Sequence, residues 1–154
     1  TLTKHLTNLV DDDNKVWGET RYCENNTVNM ILTMYKRRAS QNGISVKISA
    51  KASGSLAVPP QDLVVVIANL FENAINEVAN LKSREGYIDI QIKDSPERLL
   101  IKIDNPCRAN LTFDENLYGI GIRSVISTTS KYEGMYDFTA EDGVFSAKII
   151  LNLK

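Results

Sequence analysis

The stretch Gln61–Leu81, QDLVVVIANLFENAINEVANL, decides how the rest of the chain is read. Leu63, Ile67, Leu70, Ala74 and Val78 recur at alternating i+4 and i+3 steps, the spacing of one face of an α-helix. Val64, Phe71 and Ile75 widen that row, so most of the circumference is predicted to be buried. What remains is a stripe of Asp62, Asn69, Asn73, Asn76 and Asn80, with Glu72 and Glu77 beside it. Carboxamides at that density are unusual, because asparagine is a mediocre helix former whose side chain competes for backbone hydrogen bonds. A solvated face would more cheaply use Lys, Glu, Gln or Arg. The stripe is either a polar outer face or one wall of a polar ligand pocket. A carboxamide oxygen is a neutral ligand for Mg2+ and suits an ion whose charge is already balanced by phosphates.

Working outward, Val28, Ile31, Leu32 and Tyr35 fall at helical spacing within about Asn25–Gln41, and Asn42-Gly43 supplies a C-terminal stop. Ile44, Val46, Ile48 and Ala50 then alternate as in a half-buried strand. Gly54–Pro60 is a loop that leads into the asparagine-bearing helix. Beyond that helix, Gly86 opens a hairpin. Tyr87, Ile88, Ile90 and Ile92 form one strand, Ser95-Pro96-Glu97-Arg98 the turn, and Leu99–Ile103 the partner. Periodicity is lost over Asn105–Tyr118, which is predicted to be a loop. Gly119 and Gly121 lead into a helix over about Ile122–Tyr132, ended by Gly134. A last hairpin pairs Met135–Ala140 with Val144–Leu153 around Glu141-Asp142-Gly143. Residues 1–20, with Leu2, Leu6, Leu9, Val10 and Trp17, suggest a further helix with one apolar stripe. This order predicts an α/β two-layer sandwich, a sheet built from hairpins and covered on one face by helices.

The chain of 154 residues is long enough for one domain and a short extension. Its 43% hydrophobic and 24% charged residues are ordinary for a soluble globular protein, and a net charge of -1 gives no electrostatic case for nucleic acid. No apolar run approaches the roughly 20 residues needed to span a bilayer. Thr1-Leu2-Thr3-Lys4-His5 lacks the apolar region of a signal peptide, and the chain opens in mid-helix pattern, as if cut from a longer protein. Cys23 and Cys107 sit in unrelated contexts, which predicts two free thiols in a reducing cytoplasm.

Two further segments can carry chemistry. In Ile101-Lys102-Ile103-Asp104-Asn105-Pro106-Cys107, Asp104 falls where the strand is predicted to end. A carboxylate held there can accept a hydrogen bond from an exocyclic amine, and a site built for that bond rejects bases without the donor. Plain turn chemistry explains Asp-Asn-Pro equally. In Tyr118-Gly119-Ile120-Gly121-Ile122-Arg123-Ser124, glycines open a helix whose first N–H groups can face an anion. The pattern lacks the Gly-Lys-Ser/Thr ending of a P-loop and does not follow a strand as a dinucleotide fingerprint would.

Taken in order, these segments resemble one superfamily. Asn69-Leu70-Phe71-Glu72-Asn73-Ala74 is similar to the N box of the GHKL superfamily of gyrase, chaperone, kinase and mismatch-repair ATPases. Ile103-Asp104-Asn105 resembles its first glycine box and Tyr118-Gly119-Ile120-Gly121-Ile122 its second, while Glu141-Asp142-Gly143-Val144-Phe145 is placed like the terminal one. The resemblance covers residues 22–154 and implies a Bergerat-type sheet, mixed but largely antiparallel. Hydrolytic members of the superfamily have glutamate at the position of Asn69, as base for water. A carboxamide cannot take that proton, so Asn69 favours a kinase. Tyr22-Cys23-Glu24-Asn25-Asn26-Thr27-Val28-Asn29 and Asn105-Pro106-Cys107 look most like the quorum-sensing receptor kinases of the accessory-gene-regulator type.

Carried onto this sequence, the resemblance implies ATP and Mg2+ as cofactors. Asn73 would ligate the metal, and Asn69 would sit near the phosphates. Asp104 would read the adenine amine, with Asn105 among the ATP-binding residues. Gly119 and Gly121 would admit the phosphates, and Ile120 and Ile122 would line the pocket. Asn76 stands where many histidine kinases carry a basic residue; Arg123 either supplies that charge or faces solvent. Pro106 replaces an expected glycine. The segment between the boxes is short for an ATP lid: either the lid is truncated in the manner of its subfamily or, as the abrupt junction at Leu117-Tyr118-Gly119 suggests, residues are missing there.

The implied organisation is the end of a dimerisation helix region at residues 1–20 and the ATP-binding kinase domain at 21–154. His5 has no acidic residue after it and is expected to lie on the surface. The phosphoaccepting histidine is therefore expected upstream, and no catalytic residue within this fragment. The implied reaction passes the ATP γ-phosphoryl group to a histidine of the dimerisation helices and then to an aspartate of a response regulator. The setting would be a membrane-anchored homodimer with this domain in the cytoplasm. The alternatives are an anti-sigma-factor-type serine kinase, a hydrolytic GHKL ATPase and a non-catalytic interaction module of the same fold.

Overall fold

The structure, a computed structural model, describes residues 21–81, 86–108 and 119–153. The expectations for residues 1–20, His5 and the lid segment lie outside these. Helix α1, Asn26–Gln41, begins where the Asn25 side chain accepts the Val28 N–H at 3.0 Å, an N-cap, and Gly43 follows its end at φ +72°. Strand β1 is Ser45–Lys51. Helix α2 is continuous through three segments: α-helical Pro60–Leu63, a π-helical turn at Val64–Ala68, and α-helical Asn69–Asn80. Strands β2, Tyr87–Asp94, and β3, Arg98–Pro106, form the first hairpin. Helix α3, Ile120–Lys131, is followed by the second hairpin, β4, Met135–Glu141, and β5, Val144–Asn152. Asp142 and Gly143 both have positive φ, 53° and 76°, which suits the two-residue turn of a tight hairpin.

The five strands form one sheet in the order β1-β2-β3-β5-β4. β1 and β2 are parallel, joined by α2 as the crossover, and every other pair is antiparallel. The predicted two-layer architecture with a mixed, largely antiparallel sheet is therefore the observed one. Register makes the middle of one face apolar: Ile90 lies opposite Ile103, Ile92 opposite Ile101, Ile101 opposite Ile149, and Ile103 opposite Ala147. All are buried, together with Leu63, Ile67, Leu70, Phe71, Ala74, Ile75 and Val78 of α2. Burying this face against the helices is the main favourable contribution to folding.

Three expectations for local structure need correction. The π turn inserts a residue into the helical register, so Val64 is 40% exposed and Val66 is buried in its stead. Asp62 does not belong to the polar stripe. It is buried and accepts hydrogen bonds from Tyr132 Oη and, at 3.1 Å, from Lys131 Nζ, clasping the start of α2 to the end of α3. Strand β3 continues through Asp104, Asn105 and Pro106 where a loop was expected. Past Asp104 it pairs only with β5, so the missing N–H of Pro106 meets no ladder on the β2 side.

Candidate functional site

Alternation along β3 decides which side chains reach the helices. Leu99, Ile101, Ile103 and Asn105 are buried on the helix side, and Lys102, Asp104 and Pro106 are on the other. Asp104 sits across the sheet from α2. One of its oxygens is 3.5 Å from Lys102 Nζ; the other is buried without a partner among the described residues. The structure therefore does not bring Asp104 to the asparagine stripe. Asn105 occupies the helix-side position instead. It is 1% exposed, donates from Nδ2 to the Pro106 carbonyl at 2.9 Å, and leaves Oδ1 buried without a partner among the described residues.

The stripe runs along α2 as expected for Asn69 and Asn73, and Glu77, expected only beside it, lies in line with them at i, i+4, i+8, all three half-buried. Asn76 and Asn80 are more exposed, and Glu72 turns toward α1, 3.5 Å from Arg38. At the upstream end Asn69 donates from Nδ2 to the Val65 carbonyl at 2.7 Å, within the π turn. Here α3 arrives: a Cβ on Gly121 would stand 3.1 Å from Asn69 Oδ1. Glycine is thus what lets the first turn of α3 approach Asn69 closely.

Helix α3 begins at Ile120, earlier than expected, so Gly121 lies within its first turn and Gly119 is the N-cap. Glycine offers no side-chain cap, and the first-turn N–H groups remain open to an anion. The two isoleucines do not form a pocket wall together. Ile122 is buried in the core, and Ile120 is 83% exposed. Arg123 is exposed and close to this end.

At the downstream end of the stripe Glu77 meets β3. Glu77, Asn80, Leu81, Cys107 and Arg108 line a cavity of about 230 Å³. The Asn105 carboxamide and the Arg108 charge stabilise the Glu77 carboxylate, but burial outweighs them and raises its pKa above the ordinary value. Burial also raises the Cys107 thiol, with the Glu77 charge adding to it. Cys23 and Cys107 are both free. From Asn69 to Glu77 the stripe extends about 12 Å along the helix axis, at about 1.5 Å per residue. A single elongated, anionic ligand can therefore touch the start of α3 at one end and the β3 terminus at the other.

A family model described as "GHKL domain" matches residues 58–152. The chain belongs to the GHKL family. This GHKL domain is 32% identical over 120 residues to a probable C4-dicarboxylate sensor kinase of Bacillus subtilis (strain 168), a match covering 75% of the chain. It spans only 22% of that relative's length. In fold it is similar to the histidine kinase domain of the Erythrobacter litoralis EL346 blue-light activated histidine kinase, at TM-score 0.68 and 15% identity. That match covers 82% of this chain and 59% of the other. The Acinetobacter baumannii histidine kinase AdeS superposes at TM-score 0.64 and 16% identity, covering 99% of this chain and 80% of its own. The GHKL domain thus shares its fold with the histidine kinase domains.

The asparagines that carried the accessory-gene-regulator likeness hold the start of α1 in place. Asn29 Oδ1 accepts the Tyr22 N–H at 2.7 Å, and Asn25 Nδ2 donates to the Ser53 carbonyl at 3.1 Å. The sequence reading sets Glu77 beside the stripe without giving it a role, and it does not show the inward position of Asn105. The signal for Asn105 was present, since it continues the two-residue period of Leu99, Ile101 and Ile103. Glu77 had none, because its partner lies on another element.

Proposed function

We propose that this GHKL domain binds ATP with Mg2+ and is the catalytic domain of a sensor histidine kinase. The observation that carries the reading is the half-buried Asn69-Asn73-Glu77 stripe, running from the open N-terminus of α3 to the buried end of β3. The donor set fits the ligand. Uncapped N–H groups at α3 suit phosphate oxygens, and the carboxamide oxygen of Asn73 suits a metal already neutralised by phosphates. Among the described residues no group of three or more His, Cys, Asp or Glu side chains could hold a metal, so Asn73 and the nucleotide would hold it together.

Phosphoryl transfer asks a protein chiefly for positioning and charge neutralisation, which backbone amides and Mg2+ supply. Asn69 supports transfer over hydrolysis, since a carboxamide cannot act as base toward water. The acceptor is a histidine on dimerisation helices of a longer, homodimeric protein, with residues 1–20 assigned to that dimerisation region rather than to the ATP-binding domain. The phosphoryl group then passes to an aspartate of a response regulator. Membrane attachment belongs to the longer protein; among the described residues no helix is long and apolar enough to cross a bilayer.

The test is phosphotransfer. The chain, a polypeptide bearing the upstream helices and γ-labelled ATP are mixed, and the label is expected on the helices as acid-labile, base-stable phosphohistidine. Label stable to acid would favour the serine kinase, and steady phosphate release without transfer the hydrolase.

A further inference from the structure

Asp104, the acid expected to read the nucleotide base, lies on the far face of the sheet. A second acid stands on the near face. Glu77 is on α2, two turns beyond Asn69, and it lines the cavity at the β3 terminus with Asn80, Leu81, Cys107 and Arg108. Beside it Asn105, almost wholly buried, steadies its carboxylate and keeps an unpartnered Oδ1. A buried polar atom without a partner is uncommon in folded proteins and points to a missing one.

Resting on the ATP-site reading, we infer that Glu77 is the base-recognising acid of this domain: its carboxylate accepts the exocyclic amine of adenine, and Asn105 positions it. The distance along α2 supports this, since the phosphate end lies at Asn69 and Gly121 and the base end falls about 12 Å further on, at Glu77. The chemistry sets the selectivity. Adenine presents an N–H donor to the carboxylate, whereas guanine presents a carbonyl oxygen at the same place. Two acceptors would then face each other in a partly dry cavity, an arrangement that a site built for the amine rejects. The charged or titratable groups facing Glu77 among the described residues are Arg108 and Cys107, both on the chain just past β3. Burial already raises the Glu77 pKa, so the carboxylate form needed for the amine is lost earlier on acidification than for an exposed glutamate.

The test is calorimetric titration of the 154-residue chain with Mg2+ and non-hydrolysable ATP or GTP analogues, from neutral to weakly acid pH. The chain is expected to prefer the ATP analogue, and to lose affinity for it as pH falls through the raised Glu77 pKa. Glu77→Gln should weaken ATP-analogue binding about tenfold or more, leave the GTP analogue unchanged or tighter, and flatten the pH profile. Asp104→Asn should change none of these. ATP-analogue binding that survives Glu77→Gln with its selectivity and pH profile intact would overturn the role of Glu77 and leave the ATP site standing. Loss of binding on Asp104→Asn in a folded chain would also overturn it, returning the role to the expected acid. Should the unsubstituted chain bind neither analogue, both the inference and the ATP site fail. The ATP-over-GTP preference of the unsubstituted chain tests the idea even if Glu77→Gln does not fold, because equal affinity for the two analogues contradicts it.

Discussion

At the scale of single residues, Gly121 separates stability from binding. A methyl group added there meets Asn69 Oδ1 at 3.1 Å, tight enough to push the Asn69 side chain aside. The position is helical, where alanine is favoured over glycine by about 1 kcal/mol. Gly121→Ala is therefore expected to leave the melting temperature unchanged or raised while nucleotide affinity falls, as calorimetry beside a thermal melt would show. A parallel loss of stability would mean that the glycine serves packing alone. Gly134 is the opposite case. A Cβ there would lie 2.1 Å from the Ile150 carbonyl oxygen, a backbone atom that cannot step aside. Gly134→Ala should cost about 2 kcal/mol or more in denaturant unfolding. The residue scale is also where sequence reading went astray. Asp104 and Asn105 are neighbours, and only strand register says which one faces the helices; ending the strand at Ile103 hid it.

At the scale of elements, α2 was legible in its apolar row and illegible in its π turn. The row Leu63, Ile67, Leu70, Ala74 and Val78 is buried as its spacing predicts. A π turn leaves no mark in hydrophobic spacing, so spacing alone places Val64 in the core and Asp62 on the stripe, where the structure has neither. Asp62 pairs with Tyr132, seventy residues away in sequence, a contact no local pattern reveals. The hydrogen bond from Tyr132 lowers the Asp62 pKa against the effect of burial, with Lys131 helping. A depressed carboxyl pKa means that this clasp stabilises the fold above the ordinary value of about 4 and fades as pH falls below it. Tyr132 is raised, first by burial and then by Asp62. Its phenol stays protonated in the folded state, so stability is also lost as pH rises beyond about 10. Tyr132→Phe should cost about 1 kcal/mol near neutrality and flatten both limbs of the stability–pH profile, read by chemical unfolding at several pH values. An unchanged profile would show that the clasp contributes nothing.

At the scale of the whole molecule, the order of helices, strands and hairpins was readable because each element carries its own period and its own stop signals. Sheet order was not, since β5 inserts beside β3 and β1 pairs in parallel with β2 through a crossover. That topology brings the start of α3 and the end of β3 to opposite ends of one polar stripe on α2. The proposed kinase function requires that stripe to be a nucleotide site. Calorimetric titration of the chain with a non-hydrolysable ATP analogue, with and without Mg2+, tests it most directly. Saturable, magnesium-dependent binding that Asn73→Ala weakens about tenfold or more is the expected result. Binding indifferent to Mg2+ and to Asn73→Ala, or no binding at all by the folded chain, would contradict it.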